Sequence, residues 1–266
     1  MKTSIENESG HSSTAGGGVA GSRVSVVIPL WNQPEYIIRA LDSVYWQLEA
    51  GDEVIVVDDA STRKADPGLR ERYGGLLRWL ENSSNRGVGY SRNRGILEAR
   101  GEWIKFLDAD DVLAPFVLTA IRLGGEGHVR RAQVLHGPFH RIIDREYADC
   151  LDDTDERLKH IAEHNPMVPS AIFVRRRALL AVGLFDEGID FEEDWDLWFR
   201  LMEQYGMGGF VKLRQPVCYY WIEERERRAK RREAMRGDVT VREYFRQRYG
   251  ASPEPYWRPP EGGSPL

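Results

Sequence analysis

The chain has 266 residues, with 37 basic and 42 acidic side chains and a formal charge of −5. That length affords one large domain or two small ones with a sizeable core. The charge excludes a polyanion binder by net attraction, and a nucleic-acid partner is not expected. Cys150 and Cys218 lie far apart, which excludes a disulfide framework or a cysteine zinc site and points to a reducing, cytoplasmic setting.

Residues 1–22 are rich in Gly, Ser and Thr and carry no apolar signal core, so they read as a flexible lead-in. No run of about 18 apolar residues is present, so no transmembrane helix is expected. "RVSVVIPL" is a β-branched apolar run without alternation, as in a strand covered on both faces. Asn32 or Gln33 leads into Pro34, a good first-turn residue. Ile37, Ile38, Leu41, Val44, Tyr45 and Leu48 recur at helical spacing. "DEVIVVDDAS" is a second buried strand, "LLRWLEN" a third, and "EWIKFLDADD" a fourth. "GYSRNRGILEARG" reads as a helix stopped by Gly101. Alternating strands and helices imply βαβ units, a mostly parallel sheet and helices on both faces. Ligands of such sheets bind beyond the carboxyl ends of the strands. "VDDAS" and "LDADD" both fall there and are expected to meet at one edge.

Beyond residue 130 the pattern loosens. "AQVLHGPFHRIID" suggests a strand pair, and "PSAIFVRRRALLAVG" a strand running into a helix stopped by Gly183. "EEDWDLWFRLMEQYG" is a strong helix with an apolar stripe through Trp195, Leu201 and Met202, ended by Gly206. "FVKLRQPVCYYW" returns as extended chain. His136, His140, His160 and His164 lack metal-ligand spacing; His136 or His140 is at most an acceptor contact. The aromatic residues from Trp195 to Trp221 read as core.

Three stretches carry chemistry with two readings each. The D-x-D of Asp108 and Asp110 is either a carboxylate pair for a hard cation or a set of turn and cap residues, with Asp111 suited to capping. Glu193 and Asp194 either favour a helix N-terminus through its dipole or place a general base there. The arginines of "SNRGVGYSRNRG" are either solvated or face a diphosphate, and the stretch is neither a P-loop nor a dinucleotide fingerprint.

"VSVVIPLWN", "VIVVDDAS", "NRGVGYSRNRG", "WIKFLDADDVL" and "EEDWDLWFRL", in this order and spacing over residues 23–222, resemble family 2 glycosyltransferases of the GT-A fold. The resemblance implies a single GT-A α/β domain that transfers sugar, with inversion, from a nucleotide-diphosphate sugar to an acceptor hydroxyl. It implies a divalent cofactor, Mn²⁺ or Mg²⁺. By position, Pro29 and Trp31 border the base, and Trp31 stands where the family commonly has Tyr. Asp59, supported by Asp58, meets the nucleobase or ribose. Arg92 lies near the nucleotide, Asp108 approaches the ribose, and Asp110 ligates the metal. Asp194 is the general base, with Glu193 beside it. The alternatives are a nucleotidyltransferase, or a nucleotide-sugar-binding domain with little or no turnover.

One departure concerns the late "CYYWIEERERR", which lacks the His that many relatives carry after "YY". Glu223 either supplies an oxygen ligand in its place or begins a charged surface helix. Residues 223–250 read as that helical extension, with Glu223, Glu224 and Glu226 four residues before Arg227, Arg228 and Lys230. It is a solvated or partner-contacting face, or a peripheral attachment to anionic lipid at the inner membrane face. Residues 251–266 form a Pro/Gly-rich tail. The acceptor, whether glycan, lipid-linked or small molecule, is not legible, and neither is the oligomeric state.

Overall fold

The computed structural model describes residues 23–123, 131–144, 146–189 and 192–222. The expected lead-in, the charged extension with Glu223, and the tail lie outside the described residues.

Two sheets organise the chain. The larger has seven strands in the order β10-β6-β9-β4-β1-β2-β3. These are β1 (Val24–Leu30), β2 (Glu53–Asp58), β3 (Leu77–Glu81), β4 (Trp103–Phe106), β6 (Val134–His136), β9 (Ile172–Arg175) and β10 (Phe210–Lys212). The pairs β1–β2, β2–β3, β1–β4 and β6–β10 are parallel, and β9 runs antiparallel between β4 and β6. The smaller sheet has the order β5-β11-β7-β8, formed by Val112–Leu113, Cys218–Ile222, Phe139–Ile143 and Glu146–Leu151. The helices are α1 (Ile37–Tyr45), α2 (Leu69–Tyr73), α3 (Val88–Glu98), α4 (Val117–Leu123), α5 (Thr154–Lys159), α6 (Arg176–Ala181) and α7 (Glu193–Tyr205). No helix among the described residues is long and apolar enough to cross a membrane.

The unalternating apolar strands are covered on both faces, as expected. Val24, Val26, Ile28, Val54 and Val56 pack with Ile37, Leu41 and Val44 of α1 and with Val117, Leu118 and Ile121 of α4. Val27, Ile55, Val57, Ile104 and Phe106 point the other way, toward Ile96 of α3, Leu179 of α6 and Trp195, Trp198 and Phe199 of α7. The two-residue strand period therefore splits one apolar run between two layers, each burying about 1.5–3 kcal/mol per large side chain.

Three local expectations are corrected. Helix α3 ends at Glu98, with Ala99 already extended, so Gly101 does not stop it. Gly101 instead lets the chain pass against β1: a Cβ there would stand 2.5 Å from the Ser25 nitrogen, and its N–H donates to Ser25 Oγ at 2.8 Å. The strands expected as a pair in "AQVLHGPFHRIID" do form, as β6 and β7, but they enter different sheets. Gly137 and Pro138 separate them, and Pro138 has no N–H to continue a ladder. Asp111 caps no helix. It is fully buried and accepts the Trp221 N–H at 2.9 Å, tying the loop after β4 to β11.

Candidate active site

A cavity of about 770 Å³ opens where β1, β2 and β4 end. Pro29, Leu30, Trp31, Asn32 and Gln33 form the β1 side, and Asp59 follows β2. Asn85, Gly87, Val88, Ser91 and Arg92 come from the entry to α3, and Asp108, Ala109 and Asp110 follow β4. The two acidic clusters thus meet at one sheet edge. Trp31 lines this cavity and is 55% exposed.

Asp59 is the anchor of the floor. Its carboxylate accepts Asn82 Nδ2 at 2.6 Å, the Arg86 N–H at 2.9 Å and the Gly87 N–H at 2.8 Å. These bonds shape the turn that starts α3. Asp58 lies behind this wall rather than on it. It accepts the Ser61 N–H at 2.8 Å and Lys64 Nζ at 3.1 Å. Burial opposes its charge, but the bonds from Ser61 and Lys64 hold its carboxyl below the ordinary value.

Helix α3 lies so close to β1 that a Cβ on Gly95 would come within 2.3 Å of Val27 Cγ1. That proximity carries Arg92, one turn earlier, into the interior. Arg92 Nη2 donates to Asp108 Oδ1 at 2.8 Å, and Nη1 donates to Glu193 Oε1. Burial disfavours this cation, yet Asp108 and Glu193 push its pKa above the ordinary value. One guanidinium therefore joins the cavity wall to the first turn of α7. Glu193 and Asp194 do not line the cavity themselves.

Asp194 is 8% exposed. Its Oδ1 accepts Asn165 Nδ2 at 3.0 Å and the Trp195 N–H at 2.9 Å. Burial, with the neighbouring Glu193 carboxylate, pushes its pKa up to about 8. Glu192, just before the helix, holds a left-handed conformation at φ 55°. For a residue with a Cβ this costs about 1–2 kcal/mol, and such strain gathers at working sites.

Asp110 Oδ2 accepts Gln33 Nε2 at 3.2 Å, and its carbonyl accepts Arg39 Nη2 at 2.9 Å. The Arg39 guanidinium also sits 3.8 Å from the centre of the Trp221 ring. The Asp108 N–H donates to Ser170 Oγ at 3.0 Å, and the fully buried Lys105 donates to the Ser170 carbonyl. Burial lowers the Lys105 pKa to about 8 and raises that of Asp111 well above its ordinary value, with Asp110 and Asp108 adding to the latter. The acidic loop is thus held from below by buried groups. Asp108 and Asp110 give two carboxylates on one wall, the oxygen chemistry a hard cation takes. Among the described residues no three His, Cys, Asp or Glu side chains gather to hold a metal.

The remaining candidates fall elsewhere. Buried His136 contacts Asp155 at 3.1 Å, and burial lowers its pKa to about 4. His140 stacks on Tyr219, ring centres 5.0 Å apart. His160 and His164 stack on each other, His160 3.4 Å from Glu163. Trp195 and Trp198 are core, as expected, whereas Trp221 is only partly buried. Cys150 and Cys218 are both free. Gln33, Asn82, Ser91, Asn165 and Ser170 escaped the sequence reading. Single polar residues carry no spacing signal, and their partners are 9 to 77 residues away.

A doubly covered, mostly parallel sheet with an acidic cavity at its strand ends defines an α/β protein of the GT-A glycosyltransferase type. The Glycosyl transferase family 2 model matches residues 25–121. The amylovoran biosynthesis glycosyltransferase AmsB of Erwinia amylovora is 32% identical over 216 residues, covering 74% of this chain and 68% of AmsB. An uncharacterized glycosyltransferase of Rickettsia typhi is 28% identical over 193 residues, 67% of this chain and 58% of the relative. In fold, the chain is similar to Staphylococcus aureus TarS 1-349 in complex with UDP-GlcNAc. The TM-score is 0.62 at 23% identity, over 76% of this chain and 59% of TarS 1-349. The chain belongs to glycosyltransferase family 2, and spans little more than half to two thirds of the length of these relatives.

Proposed function

We propose that this chain transfers a sugar, with inversion, from a nucleoside-diphosphate sugar to an acceptor hydroxyl. The observation that carries the reading is the Arg92 bridge. It couples Asp108, on the cavity wall, to Glu193, beside a buried Asp194 whose raised pKa suits proton uptake near neutrality. The likeness to TarS with bound UDP-GlcNAc supports a nucleotide sugar in the cavity, and AmsB's role in amylovoran biosynthesis supports a glycan acceptor.

In this reading Trp31 and Pro29 flank the base. Asp59 shapes the turn over the nucleotide, and Asp108 faces the ribose. Asp110 would hold a divalent cation, Mn²⁺ or Mg²⁺, with Glu223 as a further oxygen donor from outside the described residues. When bound, that cation neutralises charge on the departing diphosphate. The acceptor hydroxyl gives its proton to Asp194 as its oxygen bonds the anomeric carbon. The carbon–oxygen bond to the diphosphate breaks on the opposite face, so the configuration inverts. No enzyme nucleophile is required.

The test is a thermal-shift screen of nucleoside diphosphates and their sugars with Mn²⁺ or Mg²⁺, followed by transfer assays. A selective nucleotide sugar should raise Tm, and Asp194→Asn should bind it but not transfer. Wild-type transfer by Asp194→Asn overturns the assignment of the base. Nucleotide transfer in place of sugar transfer overturns the reaction. Retention on anionic vesicles that is lost in high salt would place the enzyme at a membrane surface.

A further inference from the structure

Asn165 sits in the segment that leads to β9, 29 residues before Asp194, and four bonds hold it. Its carbonyl accepts from Arg157, and its Oδ1 accepts the Met167 N–H at 3.3 Å. Trp195 Nε1 donates to the Ile161 carbonyl at 2.6 Å, and Trp198 Nε1 donates to the Met167 carbonyl at 3.3 Å. The indoles of α7 therefore pin, on both sides, the segment that carries Asn165 against the helix that carries Asp194. The Met167 bond also settles the amide's orientation: with Oδ1 accepting there, Nδ2 is the atom that donates to Asp194 Oδ1.

The Trp195 N–H ends on that same oxygen, and no hydrogen bond among the described residues ends on Oδ2. We infer that Asn165 is a positioning residue: it anchors Oδ1 of Asp194, fixes the carboxylate plane, and leaves Oδ2 as the atom that receives the acceptor's proton. The inference rests on Asp194 being the general base. An amide donor favours the ionised carboxylate, the form a base needs. It works against burial and against Glu193 on the same helix and Glu192 just before it, and alongside Arg92 from α3. Tyr220 of β11, within electrostatic reach of Asp194, stays neutral over the working range, its pKa raised by burial.

The experiment follows the Asp194 side-chain carboxyl by ¹³C NMR over pH 5–10, with its signal identified by its loss in Asp194→Asn. The Asn165→Ala and isosteric Asn165→Asp variants are titrated in parallel. Loss of a hydrogen bond to a charged group should move the Asp194 midpoint up by about one to two pH units in Asn165→Ala. It should move further in Asn165→Asp, where two carboxyls share the site. Transfer rates should lose about tenfold or more at pH 7 and recover toward high pH, with donor KM unchanged. If Asn165→Ala does not fold, Asn165→Asp alone decides. An unmoved midpoint, or a rate loss equal at every pH, overturns the positioning role. The titration needs no substrate. A shifted midpoint in Asn165→Ala, alongside wild-type transfer by Asp194→Asn, would therefore leave the Asn165 contact standing and refute the base assignment instead.

Discussion

The two halves of the molecule are built differently. From β1 to β4 each apolar run is a strand, each amphipathic run a helix, and each acidic cluster stands where a strand ends. From β6 onward the chain moves between two sheets, reverses direction at β9, and places its key acid at the start of a helix rather than the end of a strand. The first half carries the cavity wall. The second carries Asp194 and the indole-pinned segment that holds it. Arg92 is where the two are joined.

Separate removal of each half's acid tests this division. Asp194→Asn should cut transfer by about 10²–10⁴-fold while nucleotide-sugar affinity is retained. Equal loss of affinity in a calorimetric titration would show that the halves are not separable. Arg92→Met breaks the join itself and leaves the buried Glu193 and the half-buried Asp108 without their cation. It should cost about 3–5 kcal/mol in urea unfolding, and an unchanged midpoint would deny Arg92 its bridging role. Asp110→Ala should weaken cation-dependent donor binding by about tenfold or more, with little change in metal-free Tm. Gly95→Ala forces a Cβ against Val27 and should cost about 1–3 kcal/mol, with transfer falling as Arg92 is displaced.

A separate effect is on pH and stability. Asp194 has a folded pKa raised to about 8 from an ordinary 3.8, so between those values the folded chain holds more protons than the unfolded one. Its stabilising contribution is therefore complete below about pH 4 and fades as pH rises toward 8. Asp194→Asn lacks that slope. Its Tm relative to wild type should climb from pH 5 to pH 8 and then level, as read by calorimetry at each pH.

Much of the cavity side was legible because its signals are local. A β-branched run names a buried strand, and an acid directly after it must stand at the sheet edge. The second half was less so. "QVLHGPF" shows two strands, but which sheet each joins depends on Gly137, where a Cβ would come within 2.8 Å of Val217 Cγ2, eighty residues later. Asp111 has the composition of a cap and the environment of a core residue, because its partner is the backbone of Trp221.

Sequence alone determined the alternation of elements, the two-faced burial of the strands and the meeting of both acidic clusters at one edge, since each follows from spacing along the chain. Only the tertiary structure decided which atoms those acids face. Asp59 is tied by Asn82 and the turn into α3. Asp108 and Glu193 share one buried guanidinium, and Asp194 is held by Asn165. Hydrogen bonds across 16 to 101 residues leave no period in the sequence, and only folding brings their partners within reach.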